Sequence, residues 1–162
     1  MTKQGYIPKD LHFGTNGREK LISGITSIAK AVKSTLGPSG HTVLIESPEH
    51  LGGITITKDG VTVAKGIYLD DPVENLAIQM MQEAASRTAT SAGDGTTTAI
   101  VLTEALVKAG QEHITSENNI TEVLKHINRI CSETILKLKM KTKKVTKSKL
   151  DAVASISANN DK

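Results

Sequence analysis

Between Ile120 and Leu138 the apolar residues fall at a helical spacing. Ile120, Val123, Leu124, Ile127, Cys131, Thr134, Ile135 and Leu138 share one face of a 3.6-residue period, and lysines fill the other. The same spacing recurs earlier, where Leu21, Ile22, Ile25, Ile28, Ala29 and Val32 form a stripe. Two amphipathic segments of this kind commit the chain to a mainly α fold. With only 2% aromatic residues, the core must be built from Ile, Leu, Val, Ala and Met. A chain of 162 residues is long enough for a real core.

The punctuation between these stripes sets the order of elements. The start to about Gly14 reads as irregular, with a short strand around Leu11–Phe13. Thr15 or Asn16 is placed to cap a first helix that runs to about Thr35. "LGPSG" at 36–40 ends it, since a proline and two glycines do not continue a helix. Two β-rich runs, Thr42–Ile45 and Ile54–Thr57, joined by "ESPEHLGG", predict a hairpin with a long tip. "KDG" at 58–60 is a tight turn, and Val61–Lys65 reads as a strand or a helix start. Asp71-Pro72 opens a second helix, with Asp as cap and Pro at the first helical position. A third helix is expected over roughly 95–109, ending at Gly110, and the fourth carries the Ile120–Leu138 stripe. The last stretch, "SKLDAVASISANNDK", reads as a short helix followed by an extended "SISAN". Cys131, on the apolar stripe, is expected to be a buried core residue.

Several functions are disfavoured. A single cysteine allows no internal disulfide and no CxxC site, which fits a reducing compartment. No apolar run approaches the roughly 20 residues of a membrane span. The N-terminus has neither the apolar core of a signal peptide nor the look of a transit peptide. A cytoplasmic protein is the expectation. From Lys125 to Lys149 there are nine Lys/Arg and one acid, Glu133, but no aromatics interleave with them. That stretch reads as a solvated helix face rather than a nucleic-acid site. The net charge of +3 does not argue for nucleic acid either. The five histidines show no ligand spacing.

One stretch asks for more than packing. Gly93-Asp94-Gly95-Thr96-Thr97-Thr98 stands at the start of the apolar run "AIVL". A helix start presents unpaired amides and a positive partial charge, which attract anions. Glycines beside Asp94 open the backbone to a ligand, and the threonines add hydroxyl donors. Next to a phosphate, Asp94 is useful only with a divalent cation between them, which makes it a candidate Mg²⁺ ligand. An ordinary helix start with Asp94 as N-cap fits the same residues. "TLGPSG" (35–40) and "TKDG" (57–60) are two further glycine-bounded loops, each by itself an ordinary turn. No segment matches GxxxxGK[ST].

"TLGPSG", "TITKDGVTVAKGI", "ENLAIQMMQEAASRTATSAGDGTTTAIVL" and "SISANND", in that order and spacing, resemble the N-terminal part of a group I chaperonin subunit. The resemblance covers nearly all the chain from about Phe13 to Asp161. It implies a helical equatorial-domain-like bundle with a small β-hairpin, incomplete relative to the family. Residues 1–140 would be the first half of the ATP-binding equatorial domain, and 141–162 the start of the intermediate domain. It further implies a chaperone ATPase that drives folding of non-native polypeptide. Thr35, Leu36, Gly37 and Pro38 would wrap the nucleotide, and Lys58, Asp59 and Gly60 would form a second loop. Asp59 would assist near the γ-phosphate and the attacking water, while the principal base lies outside this sequence. Asp94 would hold Mg²⁺, and Gly95, Thr96, Thr97 and Thr98 the phosphates. A K⁺ ion would be held by the Thr35 and Lys58 backbone oxygens and by Thr97. Ile156 and Ser157 would touch the nucleotide.

The implied partners are sister subunits in a ring, unfolded clients and a co-chaperonin, the last two through regions absent here. No nucleic-acid or membrane partner is expected. Departures from the family pattern are the less basic "SGH" (39–41), a longer "ESPEHLGG" connection and a longer N-terminus. A rival expectation is a non-catalytic truncated homologue that associates with, or modulates, a full-length ring.

Overall fold

The structure is a computed structural model that describes residues 10–37, 39–46 and 53–157. It divides into two compact units, Met1–Gly110 and Gln111–Lys162. Among the described residues there are six helices and one two-stranded sheet, and 69% of these residues are helical. None of these helices is long and apolar enough to cross a membrane.

In the first unit, α1 spans Gly14–Lys33. It starts earlier than expected. Phe13 occupies the N-cap position in extended conformation with no side-chain cap, so Thr15 and Asn16 lie inside the first turn. Gly14, at φ 69°, turns the chain into the helix there. The expected strand at Leu11–Phe13 is not formed. These residues pair with no strand, and His12 instead folds back onto Gly17, where a Cβ would meet its backbone oxygen at 3.3 Å. Further along, Ile28, Ala29 and Val32 are fully buried, as the stripe predicts.

Strands β1 (Val43–Glu46) and β2 (Ile54–Thr57) form the antiparallel hairpin, in register Val43↔Thr57 through Glu46↔Ile54. One face is half-buried through Val43 and Ile45, while Leu44, Ile54 and Ile56 point outward. The long tip, residues 47–52, lies outside the described residues. Val61–Lys65 resolves as helix, because Asp59 caps α2 (Gly60–Lys65) through the amides of Val61 and Thr62.

Helix α3 (Pro72–Ala92) begins as its sequence indicates, with Pro72 in the first turn. The Asp71 carboxylate accepts from the amides of Val73 (2.9 Å) and Glu74 (3.1 Å). It also accepts from Lys20 Nζ at 2.5 Å, which ties α3's start to α1. Gly93, in left-handed conformation at φ 74°, closes the helix. Helix α4 (Thr96–His113) runs on past the expected stop at Gly110. A glycine inside a helix costs only about 1 kcal/mol relative to alanine, so it does not end one by itself. The core gathers Ile28, Ala29 and Val32 of α1, Val63 and Ala64 of α2, Ile78, Met81 and Ala85 of α3, and Ile100 of α4. Among the described residues no aromatic contributes to it.

In the second unit, Asn119 caps α5 (Ile120–Lys141) through the amides of Thr121 and Glu122. The helix buries no residue. Cys131 is therefore exposed and not the core residue expected, since its stripe finds no covering layer among the described residues. Helix α6 (Lys147–Ser157) absorbs Ser155, Ile156 and Ser157, which were expected to be extended. The rest of "SISAN", from residue 158, lies outside the described residues.

Candidate functional site

The first unit sets the 57–60 turn against both the start of α4 and the last turn of α1. Gly60 makes the junction. A Cβ placed there would lie 2.0 Å from Thr97 Oγ1 and 3.4 Å from Val32 Cγ1. Only a bare backbone lets the KDG turn sit against the threonines and the last turn of α1. Three residues beyond Val32, the Thr35 hydroxyl donates to the Val32 carbonyl at 2.8 Å. Ser34 donates likewise to Ala31 O at 2.6 Å, so both hydroxyls satisfy helix-end carbonyls. The loop then closes on itself. Gly37 sits at φ 79°, and a Cβ on Gly40 would lie 2.2 Å from the Thr35 carbonyl oxygen. The His41 amide donates to Ser34 O at 2.7 Å. Pro38 lies outside the described residues.

Asp94 does not act as an N-cap. The helix begins at Thr96, and among the described residues the carboxylate accepts only from the adjacent Gly95 amide, at 2.6 Å. Gly93 (φ 74°) and Gly95 (φ 86°) hold the turn in a conformation that other residues rarely adopt. The first backbone bond of α4 is Ala99 N–H to Gly95 O. The amides of Thr96, Thr97 and Thr98 therefore have no intrachain acceptor among the described residues, and they point out of a helix N-terminus. Thr96 is buried, Thr97 half-buried and Thr98 exposed. An exposed carboxylate with a free oxygen beside three free amides fits a phosphate-bound Mg²⁺. Among the described residues no group of three His, Cys, Asp or Glu is placed to hold a metal alone. Asp94 would thus share the ion with phosphate oxygens and water.

Asp59 is engaged differently. Its Oδ2 accepts from Thr62 N (2.9 Å) and Thr62 Oγ1 (2.6 Å), and its Oδ1 accepts from Val61 N at 3.3 Å. Partial burial acts to raise the carboxyl. The Thr62 hydroxyl, the two amides and nearby Lys65 outweigh it, holding Asp59 ionised below the usual carboxylate range. The Asp59 amide in turn donates to Thr57 Oγ1 at 3.0 Å, which fixes the turn to the end of β2. Lys58 and Leu36 are exposed. Ile156 and Ser157 belong to α6 of the second unit.

The sequence reading missed Glu104. It is 2% exposed, on the inner face of α4 below Thr96 and Ile100. Its Oε2 accepts from Lys33 of α1, and its Oε1 from Lys108 at 2.8 Å. Burial pushes its carboxyl up, but the two ammonium groups more than offset that and hold it ionised. The available signal was its spacing, eight residues after Thr96 and four after Ile100 within an otherwise apolar run.

The profile of the TCP-1/cpn60 chaperonin family matches residues 28–162. The chain belongs to the TCP-1/cpn60 chaperonin family. In fold this chaperonin chain is similar to chaperonin gp146 from bacteriophage EL 2 (Pseudomonas aeruginosa), crystallised in the presence of ATP-BeFx in two crystal forms. Form I matches 91% of the chain at TM-score 0.76 and 31% identity. Form II matches 91% at TM-score 0.72 and 26% identity. The chain spans 28% of one gp146 chain and 26% of the other. Its helical bundle with a small hairpin is the equatorial-like architecture of chaperonins.

Proposed function

We propose that this chain supplies the nucleotide-binding part of a chaperonin subunit that hydrolyses ATP to drive folding of non-native polypeptide. The observation that carries the reading is the contact of Gly60 with Thr97, beside helix-start amides that have no acceptor. A tight glycine turn against an anion-attracting helix end supports a phosphate ligand there. The related gp146 chaperonin was crystallised with ATP-BeFx, which supports a nucleotide as the ligand here.

In this reading Asp94 ligates Mg²⁺, whose charge neutralises the phosphate oxygens. The amides and hydroxyls of Thr96, Thr97 and Thr98 bind those oxygens, and Gly95 keeps the approach open. Thr35, Leu36, Gly37 and Pro38 wrap the nucleotide. Lys58, Asp59 and Gly60 form the facing loop, with Asp59 orienting water as an assistant to a base outside this sequence. Thr35 and Lys58 carbonyls with Thr97 hold K⁺. Residues 1–140 then belong to the equatorial domain and 141–162 begin the intermediate one, in a cytoplasmic ring with clients and a co-chaperonin.

Equilibrium binding of a fluorescent ATP analogue tests this on the intact subunit. Asp94→Ala is expected to weaken Mg²⁺-dependent binding by roughly 100-fold, as loss of a direct metal ligand does. Unchanged affinity would overturn the assignment.

A further inference from the structure

Helix α4 turns three buried residues inward at four-residue steps: Thr96, Ile100 and Glu104. Thr96 belongs to the glycine-bounded helix start, and Ile100 enters the core. The third position would suit another apolar side chain. It carries a carboxylate instead, which loses its water and must be compensated.

Two lysines compensate it, and they differ in what they connect. Lys108 is four residues along the same helix, so its 2.8 Å bond to Oε1 joins nothing new. Lys33 is the last residue of α1, and it bonds the other oxygen, Oε2. Two residues later stands Thr35, where the first glycine loop begins. The Lys33–Glu104 pair is thus a cross-link from the Thr35 loop to α4. The Gly60–Thr97 contact is a second point of attachment, seven residues nearer the helix start. Two fixed points on one face set both the rotation of a helix about its axis and its slide along it. One apolar contact sets neither tightly.

We propose that the Lys33–Glu104 ion pair holds the first turn of α4 in place against the Thr35 loop, making Glu104 a positioning residue for nucleotide bound at Gly95–Thr98. This rests on the nucleotide reading above. Lys108 serves only the stability of the buried carboxylate.

The two lysines supply their own control. Lys33→Met and Lys108→Met each remove one cation from the same carboxylate and keep an apolar stem. In the intact subunit both are expected to lower the urea midpoint of unfolding to a similar extent. Lys33→Met is expected to weaken Mg-ATP binding roughly tenfold, and Lys108→Met less than about twofold. Hydrogen exchange is expected to quicken at the hydrogen-bonded amides of Thr35, Leu36 and Ala99 in Lys33→Met only. Equal effects of the two variants on binding and exchange overturn the proposal. If the wild-type protein binds no Mg-ATP, the nucleotide reading fails by itself. The exchange comparison then decides the link alone, and equal protection in the two variants rejects it.

Discussion

Asp59 is asked for two services by one carboxylate. It caps α2 through three hydrogen bonds, and it is the residue proposed to orient water. Asparagine separates the two, because it caps a helix about as well as aspartate but carries no charge. Asp59→Asn should leave the urea midpoint nearly unchanged while lowering ATP turnover. Asp59→Ala should also cost about 1 kcal/mol of stability. The capping contribution has a pH signature. Its folded-state pKa is lowered, so the contribution is complete above the usual carboxylate range and is lost as pH falls through the lowered value. The acid side of the stability profile should therefore flatten in Asp59→Asn, and turnover that survives this substitution would remove Asp59 from the chemistry.

Helices α1 and α3 meet backbone to backbone. A Cβ on Gly24 would stand 2.3 Å from the carbonyl oxygen of Glu74, and neither atom belongs to a side chain that can rotate away. Gly24→Ala must push the helices apart, at an expected cost of about 1–3 kcal/mol by chemical denaturation. A stability unchanged within experimental error would mean that the two helices do not pack this closely. At this scale much was legible beforehand. The buried stripe of α1 follows from its periodicity, and the start of α3 follows from Asp71-Pro72. The failures have local causes. Gly14 turns the chain into helix before Thr15 and Asn16, the two cap candidates. Leu11–Phe13 has apolar residues but no strand to pair with among the described residues, and a strand needs its hydrogen bonds answered. Val61–Lys65 suits strand or helix by its residues alone, and the Asp59 cap decides for helix.

Across the whole chain, burial is uneven. Every residue of the core cluster lies in the first unit, whereas α5 buries none and exposes Leu124, Ile130, Ile135, Leu136, Leu138 and Met140. Opening free energy follows buried contacts, so the two units should resist protease differently. Limited trypsin treatment of this chain is expected to cut first among Lys137–Lys149 and to spare α1 and α3. Early cleavage at Lys30 or Arg87 would contradict that order. The same contrast explains what the sequence could not disclose. Amphipathic spacing shows which face is apolar, not whether something covers it, and so Cys131 looked like a core residue. The meeting of the Gly60 and Thr97 loops was equally invisible, because they are separated along the chain and joined only by packing.

A core assembled from isoleucine, valine, alanine and methionine also makes this protein nearly dark in the near ultraviolet. There is no tryptophan, and the aromatic rings number two tyrosines and one phenylalanine. Phe13 and Tyr68 are 80% and 75% exposed, so folding hardly alters their surroundings. An indole introduced at exposed Leu36 would be the sole strong emitter in the chain, reporting on the Thr35 loop against an almost empty background.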